Sequence, residues 1–279
     1  MHRSWVTSGQ AELAVVDWGG DGTPIVALHP NIADSRVWRE CAPAWVAAGY
    51  RVVSYDRRGF GQTRYAEEAH DAIEDLRAVT AATSCRPAVI VGNSRGGALA
   101  LELAVAHPRD VLALVLIGAA PTGYPDEEWV AGQAESEQDA LLEAAETAGD
   151  LDLVNRLEIR YWLDGTEQPE GRVGGPARDL MLEMNSDALR AEPIGEQRER
   201  EPVWPRLAEV TVPVLVIAGG LDLPGLAGLS AQLTEALPDA RLVTMAGSAH
   251  CPSMDRPEQL SRVVIDFLTA TGHIRNLTG

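Results

Sequence analysis

Short apolar runs rich in β-branched residues recur along the chain, each followed by a polar turn and then by a helical pattern. Residues 12–17 (Glu-Leu-Ala-Val-Val-Asp) read as an early strand that ends in the turn Gly19-Gly20-Asp21-Gly22. Residues 24–28, 51–55, 88–91, 111–117, 212–218 and 241–245 read as further strands. Their continuous apolar character is that of strands covered on both faces. Between them the spacing predicts helices over 35–48 (Ser35 as cap, Gly49 as stop), 68–82, from Ala98 to just before Pro108, 226–236 and 257–270. Strands alternating with helices in this way predict an α/β fold with a mainly parallel, doubly wound sheet.

Residues 121–209 break the rhythm. They carry helical patterns at about 136–148, 150–163 and 176–191, with 22 Asp and Glu against 8 Arg, a net −14 out of −18 for the whole chain. A helical insertion (cap) over 121–209, set into a core made of 1–120 and 210–279, is the expected organisation. Trp38 and Trp45 on the first predicted helix are expected in the core.

The net charge of −18 argues against nucleic acid or an anionic membrane as partner. All 23 basic residues are arginine, so Schiff-base, pyridoxal-anchoring and Walker-type lysine chemistry are excluded. Cys41, Cys85 and Cys251 show neither disulfide-framework nor zinc spacing. No signal-peptide core or long apolar span is present. The expectation is a soluble cytoplasmic protein that acts on a small molecule and uses no metal or cofactor.

Chemistry concentrates where strands end. Gly92-Asn93-Ser94-Arg95-Gly96 is a G-x-S-x-G between a predicted strand and a predicted helix. Alone, it also describes a glycine turn with an incidental serine. At a sharp strand-to-helix turn, however, the glycines relieve crowding and the serine is presented outward near a helix N-terminus. In an open parallel sheet ligands bind beyond the carboxyl ends of the strands. The polar residues just after the predicted strands are His29-Pro30-Asn31, Asp56, Ser94, Asp222 and His250. A serine, an acid and a histidine thus converge in the chain order Ser, Asp, His. Ser94 is expected to attack a carbonyl, His250 to carry the proton, and Asp222 to orient His250 and stabilise its charged form.

The chain resembles the α/β-hydrolase-fold family nearly end to end. The marks are His29 after a strand, Asp56-x-Arg58-Gly59-x-Gly61-x-Thr63, Gly92-x-Ser94-x-Gly96-Gly97, Gly219-x-x-Asp222 and Gly247-Ser248-Ala249-His250. The resemblance implies an oxyanion hole of two backbone N–H groups, which map to Arg95 and, by position, Asn31. The family usually has His-Gly where this chain has His29-Pro30, and Pro30 has no N–H to donate. The resemblance further implies hydrolysis of a small carboxylic ester or lactone through an acyl-Ser94 intermediate. Two alternatives are carbon–carbon bond hydrolysis of a vinylogous diketone and slow-turnover ligand sensing.

His29 is read as a brace for the oxyanion loop; Asp56 could rival Asp222 as the acid, but Asp56-x-Arg58-Gly59 resembles a loop whose charges brace one another. His2, His70, His107 and His273 lack strand-end context and receive no role. Arg95 puts a permanent charge beside the nucleophile; it either pairs with an acidic residue of the insertion or grips a substrate carboxylate. Trp129, Tyr161, Trp162, Leu180, Met181 and Met184 are candidate pocket walls, with packing inside the cap the competing reading of each.

Overall fold

The computed structural model describes residues 1–125, 129 and 131–272, so His273 lies outside the described residues. The strands are β1 (His2–Ser8), β2 (Ala11–Gly19), β3 (Pro24–Leu28), β4 (Arg51–Tyr55), β5 (Ala88–Asn93), β6 (Val111–Ile117), β7 (Val214–Gly219) and β8 (Ala240–Met245). They form one sheet in the order β1-β2-β4-β3-β5-β6-β7-β8. β2 pairs antiparallel with β1 and β4, and the remaining pairs are parallel. The helices are α1 (Ala42–Ala47), α2 (Ala72–Ala82), α3 (Arg95–Ala106), α4 (Gln133–Ala148), α5 (Leu151–Ile159), α6 (Gly175–Leu189), α7 (Pro224–Ala236), α8 (Pro252–Asp255) and α9 (Pro257–Ala270).

Two apolar layers flank the sheet, because successive side chains of a strand point to opposite faces. Val26 and Leu28 pack with Leu76, Val79, Leu99 and Leu233. Ile25 and Ala27 pack with Trp38, Trp45, Val264 and Phe267 on the other face. Both faces are covered, which is why β3 and β5 to β7 read as unbroken apolar runs. The carboxyl ends of β3, β5, β6, β7 and β8 lie side by side, and the site is assembled along that edge.

Local departures from the sequence expectations have physical causes. β1 carries no fully buried residue and exposes Trp5, so its apolar signal is weak. The expected helix over 35–48 is broken in two. A 3-10 turn at Ser35–Trp38 is capped by Asp34 rather than Ser35, the Asp34 carboxylate accepting from Arg36 N at 2.9 Å. Pro43 cannot donate within a continuous helix and instead opens α1. α2 starts at Ala72 because Asp71 caps it, accepting from Ile73 N at 2.9 Å.

Residues 121–209 do lie between β6 and β7 and hold α4, α5 and α6. The predicted helix over 150–163 ends as an α-helix at Ile159 and widens into a π-helical turn at Arg160–Asp164. Such widened turns are uncommon and concentrate at functional sites. Among the described residues no helix is long and apolar enough to cross a membrane.

Candidate active site

Ser94 occupies the turn between β5 and α3 with φ 53° and ψ −119°, a conformation costly for any residue bearing a Cβ. The turn is held by Ser94 N donating to the Ile117 carbonyl at 2.8 Å. A Cβ on Gly92 would overlap the Gly96 carbonyl, and one on Gly96 would overlap the Leu28 carbonyl, so both glycines let α3 start tightly against β3 and β5. Ser94 is the N-cap residue of α3, yet its side chain makes no capping bond, which leaves its hydroxyl unused at the helix N-terminus. Arg95 N heads α3, where an N–H has no intrahelical acceptor.

β7 delivers Asp222 and β8 delivers His250. His250 Nδ1 and Asp222 Oδ2 are 2.8 Å apart, with both side chains almost fully buried. The second carboxylate oxygen accepts from Leu223 N at 2.9 Å, fixing the acid. With Nδ1–H donating to the Asp222 carboxylate, the histidine's Nε2 lone pair is free. Gly118 closes this corner: a Cβ there would stand 2.8 Å from His250 Nδ1. Asn93 Nδ2 donates to the His250 carbonyl at 3.1 Å and ties the histidine loop to the elbow. The Ser94 hydroxyl and the His250 ring are not hydrogen-bonded to each other.

The insertion reaches this corner through residues that the strand-end reasoning missed. His250 N donates to the Trp162 carbonyl at 3.2 Å, and the two rings lie 4.5 Å apart between centroids. Arg172 pairs with buried Asp255 at 2.7 Å and donates to the Gly247 carbonyl at 3.0 Å. Asp255 in turn accepts from Ser248 Oγ at 2.7 Å and from Ala249 N at 2.9 Å. An arginine far away in sequence therefore clamps the loop that carries His250.

Opposite, His29 is fully buried and binds no reacting group. Its Nε2 accepts from Arg57 N at 3.0 Å, which puts the proton on Nδ1, 2.7 Å from the Pro30 carbonyl. Burial first, and the Arg57 charge second, hold His29 well below the ordinary histidine range. The unfolded chain therefore takes up a proton below pH ~6.5 that the folded chain refuses, so stability is full above that value and falls as pH drops through the window beneath it. The slope is expected to approach ~1.4 kcal/mol per pH unit for this group, and urea titrations of His29→Gln should show a flatter dependence there.

Asp56 is braced differently from expectation. Backbone groups satisfy it, Ser35 N and Gln62 N each donating at 2.9 Å, while Arg58 pairs instead with Asp75 and Glu68. Arg95 pairs with Glu102 of its own helix at 2.6 Å rather than with an acid of the insertion. Seven residues separate the two, about two helical turns, a spacing that the long arginine side chain spans.

A cavity of about 400 Å³ opens beside the elbow, bounded by Asn31, Arg57 and Arg95 from the core and by Glu158, Asn185 and Gln197 from the insertion. Of the expected wall residues, Trp162 lies against the His250 ring, and none of the six lines this cavity. Tyr161 packs on Leu223, Leu226 and Leu229, with Trp129 and Trp162 against the same cluster. Leu180, Met181 and Met184 are buried in the core layer that holds Trp38 and Trp45. Among the described residues no three His, Cys, Asp or Glu side chains are placed to hold a metal ion.

The sequence model of the Alpha/beta hydrolase family matches residues 25–263. The chain belongs to this family. Among α/β hydrolases it is similar to a pimeloyl-[acyl-carrier protein] methyl ester esterase of Aeromonas hydrophila, 25% identical over 263 residues covering 89% of this chain and 96% of that one. It is also similar to a 2-hydroxy-6-oxononadienedioate/2-hydroxy-6-oxononatrienedioate hydrolase of Paraburkholderia xenovorans, 26% identical over 275 residues covering 93% of this chain and 91% of that one. The solved structure of an esterase from Exiguobacterium antarcticum superposes with a TM-score of 0.77 at 21% identity, covering 95% of this chain and 99% of that one. At that identity the superposition speaks for the fold.

Proposed function

We propose that the chain is a serine hydrolase that cleaves a small carboxylic ester or lactone. The observation that carries the reading is the buried 2.8 Å contact between His250 and Asp222 at the strand edge where Ser94 is presented with positive φ. Ser94 Oγ attacks the carbonyl carbon while His250 Nε2 takes its proton. Asp222 stabilises the imidazolium that forms. The oxyanion is received by the backbone N–H groups of Asn31 and Arg95, each worth about 2.7–4 kcal/mol of transition-state stabilisation. Collapse returns the proton from His250 to the leaving alkoxide and leaves acyl-Ser94. A water activated by the same histidine then releases the acid. Residues 121–209 act as a cap over this site, with Trp162 its nearest element.

A second reading, carbon–carbon bond hydrolysis on the same residues, is favoured by the Paraburkholderia relative. A panel of short-chain 4-nitrophenyl esters and lactones, run beside a vinylogous diketone, separates the two. Ester turnover on a seconds timescale with fluorophosphonate labelling of Ser94 is the expected result. Absence of labelling would overturn the acyl-Ser94 mechanism, and a single slow turnover would favour a ligand sensor.

A further inference from the structure

One cation beside the elbow forms no ion pair among the described residues; Glu102, held by Arg95, acts on it only at longer range. Arg57 follows Asp56, and its guanidinium reaches back to the oxyanion loop, where Nη2 donates to the His29 carbonyl at 3.1 Å and to Asn31 Oδ1 at 3.0 Å. Its Cζ stands 4.8 Å from the centroid of the Phe60 ring. Nε is buried without a partner, and among the described residues no carboxylate pairs with the guanidinium. The other two arginines on the same cavity are neutralised. Arg58 is held by Asp75 at 2.8 Å and Glu68 at 2.7 Å, and Arg95 by Glu102 at 2.6 Å.

Burying a charge among neutral partners alone is costly, and such charges are ordinarily paired. Burial pushes the Arg57 guanidinium down to about 10. Arg57 lines the cavity of about 400 Å³ together with Asn31, the proposed oxyanion donor. On the insertion side of that cavity, Glu158 accepts from Asn185 Nδ2 at 2.7 Å, and burial pushes its carboxyl up toward the neutral form, which lessens its opposition to an anion.

We infer that Arg57 anchors a carboxylate on the substrate, so that the site selects small esters or lactones carrying one free carboxylate over their neutral counterparts. The inference rests on the hydrolase reading for the reaction, but not for the binding. One unneutralised guanidinium matches one monoanion; a phosphate dianion would leave a charge uncompensated beneath an insertion of net −14. A guanidinium also suits the planar geometry of a carboxylate.

The test has a binding arm and a kinetic arm, both on the full chain at pH 7. By calorimetry, hexanoate should bind at least about tenfold more tightly than isosteric hexanamide, the charge-assisted hydrogen bond making the difference. Arg57→Met should erase that preference and Arg57→Lys retain part of it. In the kinetic arm, the ratio of kcat/KM for 4-nitrophenyl hemiglutarate to that for 4-nitrophenyl valerate should fall about 10- to 100-fold in Arg57→Met. If Arg57 only positions the oxyanion loop, both esters slow alike and the ratio stays constant, which overturns the inference. Equal binding of hexanoate and hexanamide to the unmodified chain also overturns it. Arg57-dependent hexanoate binding without any ester turnover would uphold the carboxylate site and defeat the hydrolase reading. Arg57→Met also loses the hydrogen bonds to the His29 carbonyl and to Asn31, so its thermal midpoint is measured alongside; should it misfold, Arg57→Lys still reads the binding arm.

Discussion

Ser94→Ala is expected to abolish ester turnover, lowering kcat by roughly 10⁵- to 10⁶-fold, the scale seen when a triad nucleophile is removed elsewhere. The loss should fall on chemistry rather than on folding. Alanine retains the Cβ that serine already holds at φ 53°, and the serine hydroxyl caps nothing in α3, so no structural hydrogen bond disappears with it. The thermal midpoint should stay close to that of the unmodified chain. Residual catalysis would come from the proposed backbone donors at Asn31 and Arg95 and from substrate binding alone. Steady-state rates on a 4-nitrophenyl ester, with intact-mass detection of a fluorophosphonate adduct, check both halves. A variant that keeps more than about a hundredth of the rate would show that Ser94 is not the nucleophile.

Asp222→Asn should cost on the order of 10⁴-fold in kcat with KM little changed. The reason is the tautomer. Asp222 Oδ2 lies 2.8 Å from His250 Nδ1 and, as a carboxylate, can only accept. An amide presenting its NH2 to Nδ1 would move the imidazole proton to Nε2, where the lone pair must be free to receive the proton of Ser94. Leu223 N already occupies Oδ1, so the amide oxygen is expected to stay there and the NH2 to face the ring. Asp56→Asn is the natural control. The Asp56 carboxylate is engaged by Ser35 N and Gln62 N, so its loss should lower stability before it lowers kcat. A larger kcat loss in Asp56→Asn than in Asp222→Asn would reverse the assignment of the acid.

The residues that meet at the sheet edge were legible because each follows a strand whose both-face burial writes itself as an apolar run. β3, β4 and β6 begin and end where the pattern puts them. β1 was not legible: it pairs with β2 at the edge of the sheet, half exposed, and its alternation of Trp5 and Val6 with polar residues is faint. The helix over 35–48 failed at Pro43, where propensity yielded to a missing N–H. The pocket failed for another reason. Trp129, Tyr161 and Met184 are large and apolar, but apolar surface packs on apolar surface, so they fill the layers between residues 121–209 and the core, while Trp162 also lies against the His250 ring. The cavity fell instead to the polar ends of α5 and α6 and to the arginines of the core.

The sequence by itself determined the alternating architecture, the charge of the insertion and the set of polar residues at strand ends, because these depend on periodicity and on order along the chain. Tertiary structure alone decided which charges meet. Arg95 found Glu102 within its own helix, Arg172 crossed from residues 121–209 to clamp the His250 loop, and Arg57 forms no ion pair among the described residues. Pairing of long flexible cations is settled by which acids the fold leaves within reach: Glu102 is near Arg95 in sequence, but Asp255 is 83 residues from Arg172, and no local pattern encodes that distance.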